Sequence, residues 1–177
     1  MKFSIISGAI LVLPILITRF LLLALLNKEA VRRAAFFPPT LGIEKIAYQV
    51  NVLTTFLLLI VPFFLQIKLK GVLGISGLFF FIGALALYAI AIVQFAKPDN
   101  HGLNISGLYT VSRNPMYVSF FLYFLGCCML TSSRILLLVL IVFQISVHFL
   151  ILSEERWCIE KYGDSYRDYI KKVRRYL

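Results

Sequence analysis

The chain has 177 residues, of which 60% are hydrophobic, and a mean hydropathy of +0.90. Hydrophobic content this high lies far outside the range of soluble globular proteins and indicates an integral membrane protein. The formal net charge of +10 could indicate nucleic-acid binding, but the Lys and Arg residues lie between apolar runs or near the C-terminus. We therefore attribute the basic charge to membrane topology and lipid contact, and expect no nucleic-acid partner.

Five apolar runs predict an all-α fold with about five transmembrane helices. They cover residues 3–26, 50–65, 72–95, 116–132 and 135–152. The second, fourth and fifth runs are close to the lower limit of about 17 residues for crossing a bilayer. The first run is similar to a signal peptide, but it is of spanning length and has no clear small-residue cleavage site, so we interpret it as the first transmembrane helix.

The distribution of Lys and Arg predicts the orientation of these spans. With five spans and the N-terminus outside, the inner loops and the C-terminal tail contain thirteen of these residues, and the outer segments contain four. The protein is therefore predicted to be a multi-pass membrane protein with a cytoplasmic C-terminus. The loop 96–115 is predicted to lie on the same cytoplasmic side as the tail.

The C-terminal tail is polar and amphipathic. Gly163 is a predicted helix stop, and Asp164 is a predicted N-cap for a further short helix. Apolar residues recur at helical spacing in that helix, among basic residues: Tyr166, Tyr169, Ile170, Val173 and Leu177. This pattern is typical of a helix that lies in the headgroup layer, so membrane lipids are expected partners.

The fourth and fifth apolar runs are joined by only two residues, which predicts a tight antiparallel helical hairpin over residues 116–152. At about 1.5 Å per residue the two helices have nearly equal lengths, so their open ends are level. Arg113 before the first helix should therefore meet Glu154 and Glu155 after the second.

The polar residues at these ends have a structural and a functional interpretation. Asn114 as N-cap and Pro115 as first helical residue suit any helix start, and Arg113 could simply pair with a glutamate or anchor at the headgroups. An arginine beside a helix N-terminus is also an anion site, and nearby carboxylates accept hydrogen bonds from ammonium groups or ribose hydroxyls. Such a site suits S-adenosylmethionine, a zwitterionic cofactor.

Two segments carry a family resemblance: HGLNISGLYTVSRNPMY, residues 101–117, and EERWCIEKYGDSYRDY, residues 154–169. They resemble the isoprenylcysteine carboxyl methyltransferases and related membrane methyltransferases, which include the phospholipid N-methyltransferases. The resemblance covers about the last 85 residues. It implies an S-adenosylmethionine-dependent methyltransferase whose lipidic or prenylated acceptor enters from the bilayer. On this interpretation the first three transmembrane helices occupy residues 1–95, and the catalytic region occupies residues 96–177.

The resemblance also implies which residues form the site. The implied cofactor-binding residues are Gln94, His101, Gly102, Leu103, Asn104, Tyr109, Asn114, Pro115, Met116, Tyr117 and Glu154. Two positions depart from the carboxyl-methylating pattern. Asn114 replaces the usual histidine, as in the phospholipid branch, and Leu150 stands where those enzymes have an arginine that orients the substrate carboxylate. The branch, and therefore the acceptor, stays open.

Methyl transfer from a sulfonium is an in-line displacement, so the protein chiefly has to hold two reactants together in a site without water. For a carboxylate acceptor, Arg113 or Arg156 would position the nucleophile. For an amine acceptor, Glu154 or Glu155 would accept the proton. His148 lies on about the same helix face as Glu155, and either extends the site toward the acceptor or packs within the bundle. No His and Cys spacing predicts a metal site.

Two other classes stay open on the sequence. A sterol-reductase-like NADPH enzyme shares a related C-terminal half, but such enzymes have more spans and more polar cofactor-binding residues than this chain supplies. A non-enzymatic membrane scaffold would give no reason for four polar residues to gather at one face: Gln94, His101, Arg113 and Glu154.

Overall fold

The computed structural model describes residues 7–26, 28–99 and 102–177. His101 of the predicted cofactor loop lies outside these described residues. The helices in chain order are α1 (Gly8–Leu26), α2 (Lys28–Ala35), α3 (Ile43–Phe64), α4 (Gly71–Ala96), α5 (Pro115–Thr131), α6 (Arg134–Tyr162) and α7 (Asp164–Lys172). A short 3₁₀ turn, Gly107–Thr110, lies between α4 and α5. The all-α fold class is confirmed.

Four of these helices, α1, α3, α4 and α6, are long and apolar enough to cross a membrane, which supports the integral membrane class. The remaining apolar helix, α5, has 17 residues. It is about 25 Å long, against a hydrocarbon layer of about 30 Å. The predicted total of five spans therefore stays a prediction.

Helices α3 and α6 are longer than their apolar runs predict. The former begins at Ile43 rather than at residue 50, and the latter continues to Tyr162 rather than ending at residue 152. The prediction that both are near the minimum spanning length is therefore wrong. The reason is an ion pair between the two extensions, in which Glu44 accepts two hydrogen bonds of 2.7 Å from Arg156. These charged residues lower the local hydropathy, yet both helices continue through them.

Helix α4 packs along α5, and α6 packs along α3. The contact between α4 and α5 is close: a Cβ added to Gly126 would lie 2.6 Å from Phe81 N and 2.9 Å from Gly77 O. Small residues that let backbones approach are typical of helix association in membranes. The hairpin partner α6 contacts α5 through aromatic rings, with the Phe143 and Phe120 centroids 5.2 Å apart. The α5–α6 hairpin is therefore one part of a larger helix bundle.

Helix α1 packs against α4, and its middle turn, Thr18–Leu22, is π-helical. Its first residue, Gly8, donates its backbone N–H to Leu65 O at the end of α3, at 2.8 Å. The N-terminal helix is therefore attached to both α3 and α4.

Helix α6 ends at Gly163, which adopts a φ of 56°, as the sequence predicts. Asp164 begins α7 but makes no capping hydrogen bond, so its predicted N-cap role is wrong; Gly163 holds that position. Helix α7 ends at Lys172, and Val173 is extended. The following residues return to the loop before α5, where Arg113 N donates to Arg174 O at 2.9 Å.

Helix α7 is amphipathic, as predicted, but its apolar side faces the protein. Tyr166, Tyr169 and Val173 are buried together, and Leu103 of the predicted cofactor loop packs against them. Leu177, predicted to share this face, lies beyond the helix end and is 70% exposed. The apolar face of α7 therefore supports the loop between α4 and α5.

We expect Gly126→Ala to destabilise the protein by about 1–3 kcal/mol, because the added methyl group would meet backbone atoms that cannot move aside. The matched control is Gly83→Ala in α4, where a Cβ meets nothing within 4 Å and alanine favours the helix. Thermal unfolding in detergent measures both variants. If the unfolding temperature of Gly126→Ala equals that of Gly83→Ala, the close contact between α4 and α5 is contradicted.

Candidate active site

The residues at the open ends of the hairpin meet as predicted, and Glu155 lies at their centre. Arg113 Nη2 is 2.7 Å from Glu155 Oε1, and Arg113 Nε is 3.1 Å from the same oxygen. Arg175 Nη2 lies 2.7 Å from Glu155 Oε2. The third nitrogen of Arg113, Nη1, donates to Val173 O at 2.7 Å. The Arg113 guanidinium is thus fully engaged, and Glu155 is held between two cations.

This cluster, Arg113, Glu155 and Arg175, is hereafter called the arginine clamp. The side chains of Arg113 and Glu155 are only 6% and 10% exposed. The hydrogen bonds to Glu155 raise the pKa of Arg175 above its ordinary value, so Arg175 stays charged. The clamp joins three parts of the chain: the loop before α5, the last turns of α6, and residues 173–177, which are called the C-terminal segment.

Glu154 has a different partner from its neighbour. Tyr117, in the first turn of α5, donates its phenol hydrogen to Glu154 Oε1 at 2.7 Å. The two adjacent glutamates therefore face different sides of α6. Glu155 faces two guanidinium groups, and Glu154 faces a neutral hydroxyl.

Asn114 holds the N-cap position of α5, and Pro115 is its first residue, as predicted. The side chain of Asn114 makes no capping hydrogen bond, however; its Nδ2 instead donates to Arg175 O at 3.0 Å. The predicted capping bond is therefore wrong. Asn114 fixes the C-terminal segment, while the N-terminus of α5 is left without a side-chain cap. Met116, the next helical residue, is partly buried in the main core.

Gln94 positions the turn between α4 and α5. Its Oε1 accepts a hydrogen bond from Leu108 N at 2.8 Å, and its amide fills the space that a Cβ of Gly107 would occupy. Gly107 has a φ of +60°, so both its backbone conformation and this contact favour glycine. Contact between Gln94 and a cofactor stays a prediction.

Tyr109, in the same turn, is buried, and its carbonyl accepts a 2.6 Å hydrogen bond from Tyr169 Oη. Burial raises the pKa of the Tyr109 phenol, nearby Tyr169 and Glu154 raise it further, and Arg33 lowers it. The phenol therefore stays protonated near neutral pH. Tyr109 can donate a hydrogen bond in the site, but it cannot act as a base there.

Asp99 organises the described part of the predicted cofactor loop. Its Oδ2 accepts a hydrogen bond from Ile105 N at 2.9 Å, and this bond keeps the pKa of Asp99 below its ordinary value. The Gly102 carbonyl accepts from Tyr162 Oη at 3.2 Å. Asn104 Oδ1 is buried and has no hydrogen-bond partner among the described residues. A buried acceptor without a donor is costly, so this position fits a ligand that donates a hydrogen bond.

The sequence did not reveal how the other cations are used. Arg156 pairs with Glu44, as Arg113 pairs with Glu155, at 2.7 Å each. Both cations predicted to position a carboxylate acceptor thus have a carboxylate of their own. The sequence held one sign of the pair between Arg156 and Glu44: Glu44 is an isolated acidic residue beside an apolar run.

The C-terminal segment was also missed as a part of the site. His148 Nδ1 lies 2.9 Å from Tyr176 Oη, so His148 contacts this segment from within α6. The sequence KKVRRYL was interpreted as one continuous helix face, and that pattern gave no sign that its last residues fold back.

Comparison with known proteins identifies the family. The family model for phospholipid methyltransferases matches residues 50–165, which is more than half of the chain and includes every predicted site residue. The chain therefore belongs to the phospholipid methyltransferase family.

A curated relative, the protein-S-isoprenylcysteine O-methyltransferase of Schizosaccharomyces pombe, is 36% identical over 84 residues, which cover 46% of this chain and 35% of the relative. The match thus spans about a third of that protein's length. No solved structure matches the chain.

We expect Glu155→Gln to destabilise the protein by about 3–5 kcal/mol, because it leaves the buried Arg113 guanidinium without its carboxylate. It should also loosen the C-terminal segment, so carboxypeptidase should release the last residues faster. Asp168→Asn is the matched control, since it removes an exposed ion pair with Lys171 and should change little. Unchanged stability and digestion of Glu155→Gln would show that the arginine clamp does not hold the segment.

Proposed function

We propose that this protein is an S-adenosylmethionine-dependent methyltransferase that acts on a lipophilic acceptor. The observation that carries the proposal is the pair of Tyr117 and Glu154, 2.7 Å apart, at the end of apolar helices and inside the segment that matches the family. The similarity to a protein-S-isoprenylcysteine O-methyltransferase supports a prenylated carboxylate as the first candidate acceptor.

The residues around this pair fit the cofactor. Glu154 would accept hydrogen bonds from its ammonium group or ribose hydroxyls, and Asn104 offers an otherwise unsatisfied buried oxygen within the described loop. The uncapped N-terminus of α5 would bind its carboxylate. His101 and Gln94 are further predicted contacts. When bound, S-adenosylmethionine supplies an electrophilic methyl group.

The two glutamates have different roles in this proposal. Glu155 accepts hydrogen bonds from two arginines, so we assign it, with Arg113, to positioning the ends of the hairpin. Glu154 is bound only through a phenol in the contacts described above, so its second carboxyl oxygen stays available to a ligand. Tyr117 orients it. For a carboxylate acceptor no proton has to leave, whereas for an amine acceptor Glu154 would receive the proton.

Phospholipid N-methylation is the second candidate, and one observation favours it. Arg113 and Arg156 are both paired with glutamates, so neither is available to hold a carboxylate acceptor. Leu150, where an arginine would be expected for that role, is fully buried in the core. An amine acceptor requires a base instead, and Glu154 is suitably placed for that.

We expect Glu154→Gln to weaken S-adenosylmethionine binding roughly tenfold or more, because a hydrogen-bond acceptor for a charged group loses its own charge. Asn104→Ala should also weaken binding, by a smaller factor. Isothermal titration of the purified protein measures both. Glu160→Gln, an exposed residue on the same helix, is the matched control and should bind normally. Unchanged affinity in Glu154→Gln would remove Glu154 from the cofactor site.

Two further measurements separate the classes of function. Heat of binding for NADPH but not for S-adenosylmethionine would support the reductase-like alternative, and binding of neither would support a non-enzymatic membrane protein. Incubating membranes with methyl-labelled S-adenosylmethionine then identifies the acceptor. Base-labile label in protein indicates a carboxyl ester, and stable label in phospholipid indicates an amine.

A further inference from the structure

Arg19 is a cation inside an apolar helix. It lies seven residues before the end of α1 at Leu26, which is about 10 Å along the helix. Arginines at such depths either extend to the headgroups or face the protein interior. Arg19 faces the interior, because its Nη1 donates to Tyr88 Oη on α4 at 3.3 Å. Tyr88 is 1% exposed.

The partner of Arg19 carries no charge. Within residues 7–26, 28–99 and 102–177, no carboxylate forms a salt bridge with Arg19. The arginines that do pair with a glutamate at 2.7 Å are Arg113, Arg156 and Arg175. A charge in the apolar layer without a counter-charge is costly, and ionisable residues there usually serve function. Arg19 therefore lacks the neutralising group that the other three have.

Arg19 also lies beside the candidate active site. Its partner Tyr88 packs against Phe120 of α5, with ring centroids 6.2 Å apart. Phe120 lies about one turn along α5 from Tyr117, and Tyr117 donates to Glu154. Tyr117 also packs against the core cluster that contains Tyr88. The turn that contains Arg19 is π-helical, a conformation frequent at functional sites. Phe20, the next residue, is 64% exposed, so this turn also borders the outer surface of the bundle.

We propose that Arg19 binds an anionic oxygen group of the acceptor, a carboxylate or a phosphate, and thereby selects acceptors with a negative charge next to their apolar chain. A guanidinium presents a planar set of donors that matches either group. The acceptor's charge would supply the counter-charge that the described residues do not. This assignment rests on the proposed methyltransferase function for its role in the reaction, although the binding itself can be measured without turnover.

The test uses two pairs of ligands that differ only in charge, bound to the purified protein in nanodiscs. The first pair is N-acetyl-S-farnesylcysteine and its neutral carboxamide, and the second is phosphatidylethanolamine and its phosphate methyl ester. The wild-type protein should bind the charged member of at least one pair about tenfold more tightly, and the responding pair identifies carboxylate or phosphate. Arg19→Gln should abolish this preference, and Arg134→Gln, an exposed arginine at the start of α6, should keep it.

No charge preference in the wild type for either pair would overturn the assignment, as would an unchanged preference in Arg19→Gln. If Arg19→Gln does not fold, Arg19→Lys decides, since it keeps the charge but loses the planar donors. A weakened preference in that variant supports the assignment, and an unchanged one overturns it. Titration with S-adenosylmethionine tests the proposed function separately. A protein with the charge preference but no cofactor binding would overturn the methyltransferase proposal and leave the anion site in place.

Discussion

The arginine clamp is the interaction on which the site depends. A carboxylate at the rim of a membrane is costly to bury unless cations and hydrogen-bond donors surround it, and Glu155 receives both from Arg113 and Arg175. Arg113 in turn needs acceptors for its remaining N–H groups, and the backbone carbonyls of Ile170 and Val173 supply them. The loop before α5 and the end of the chain therefore stabilise each other's position against α6. The position of α5, and with it Tyr117, follows from this arrangement.

Three consecutive residues of α6 connect it to three neighbours. Successive residues of a helix point about 100° apart, so adjacent side chains face different elements. Glu154 faces Tyr117 on α5, and Glu155 faces the clamp. Arg156 faces Glu44 at the start of α3. One turn at the end of α6 thus fixes α3, α5 and the C-terminal segment relative to one another.

Much of this arrangement could be predicted from the sequence. Hydropathy predicts the membrane class, and helix lengths predict that Arg113 meets Glu155, although the predicted contact with Glu154 does not form. The start of α3 could not be predicted, because hydropathy does not detect the pairing of Glu44 with a residue far along the chain. The side chain of Asn114 was also unpredictable, since capping rules use local sequence and here a distant carbonyl, Arg175 O, competes for the amide.

The separation of charges also bears on the ligand-binding role proposed for Glu154. Had an arginine paired with Glu154 at the distance seen for Glu155, the carboxylate would be neutralised by the protein itself, and a cationic ligand would have to displace that arginine. A phenol orients the carboxyl group through one hydrogen bond and leaves the other oxygen free to accept. We infer that the clamp keeps two arginines away from Glu154.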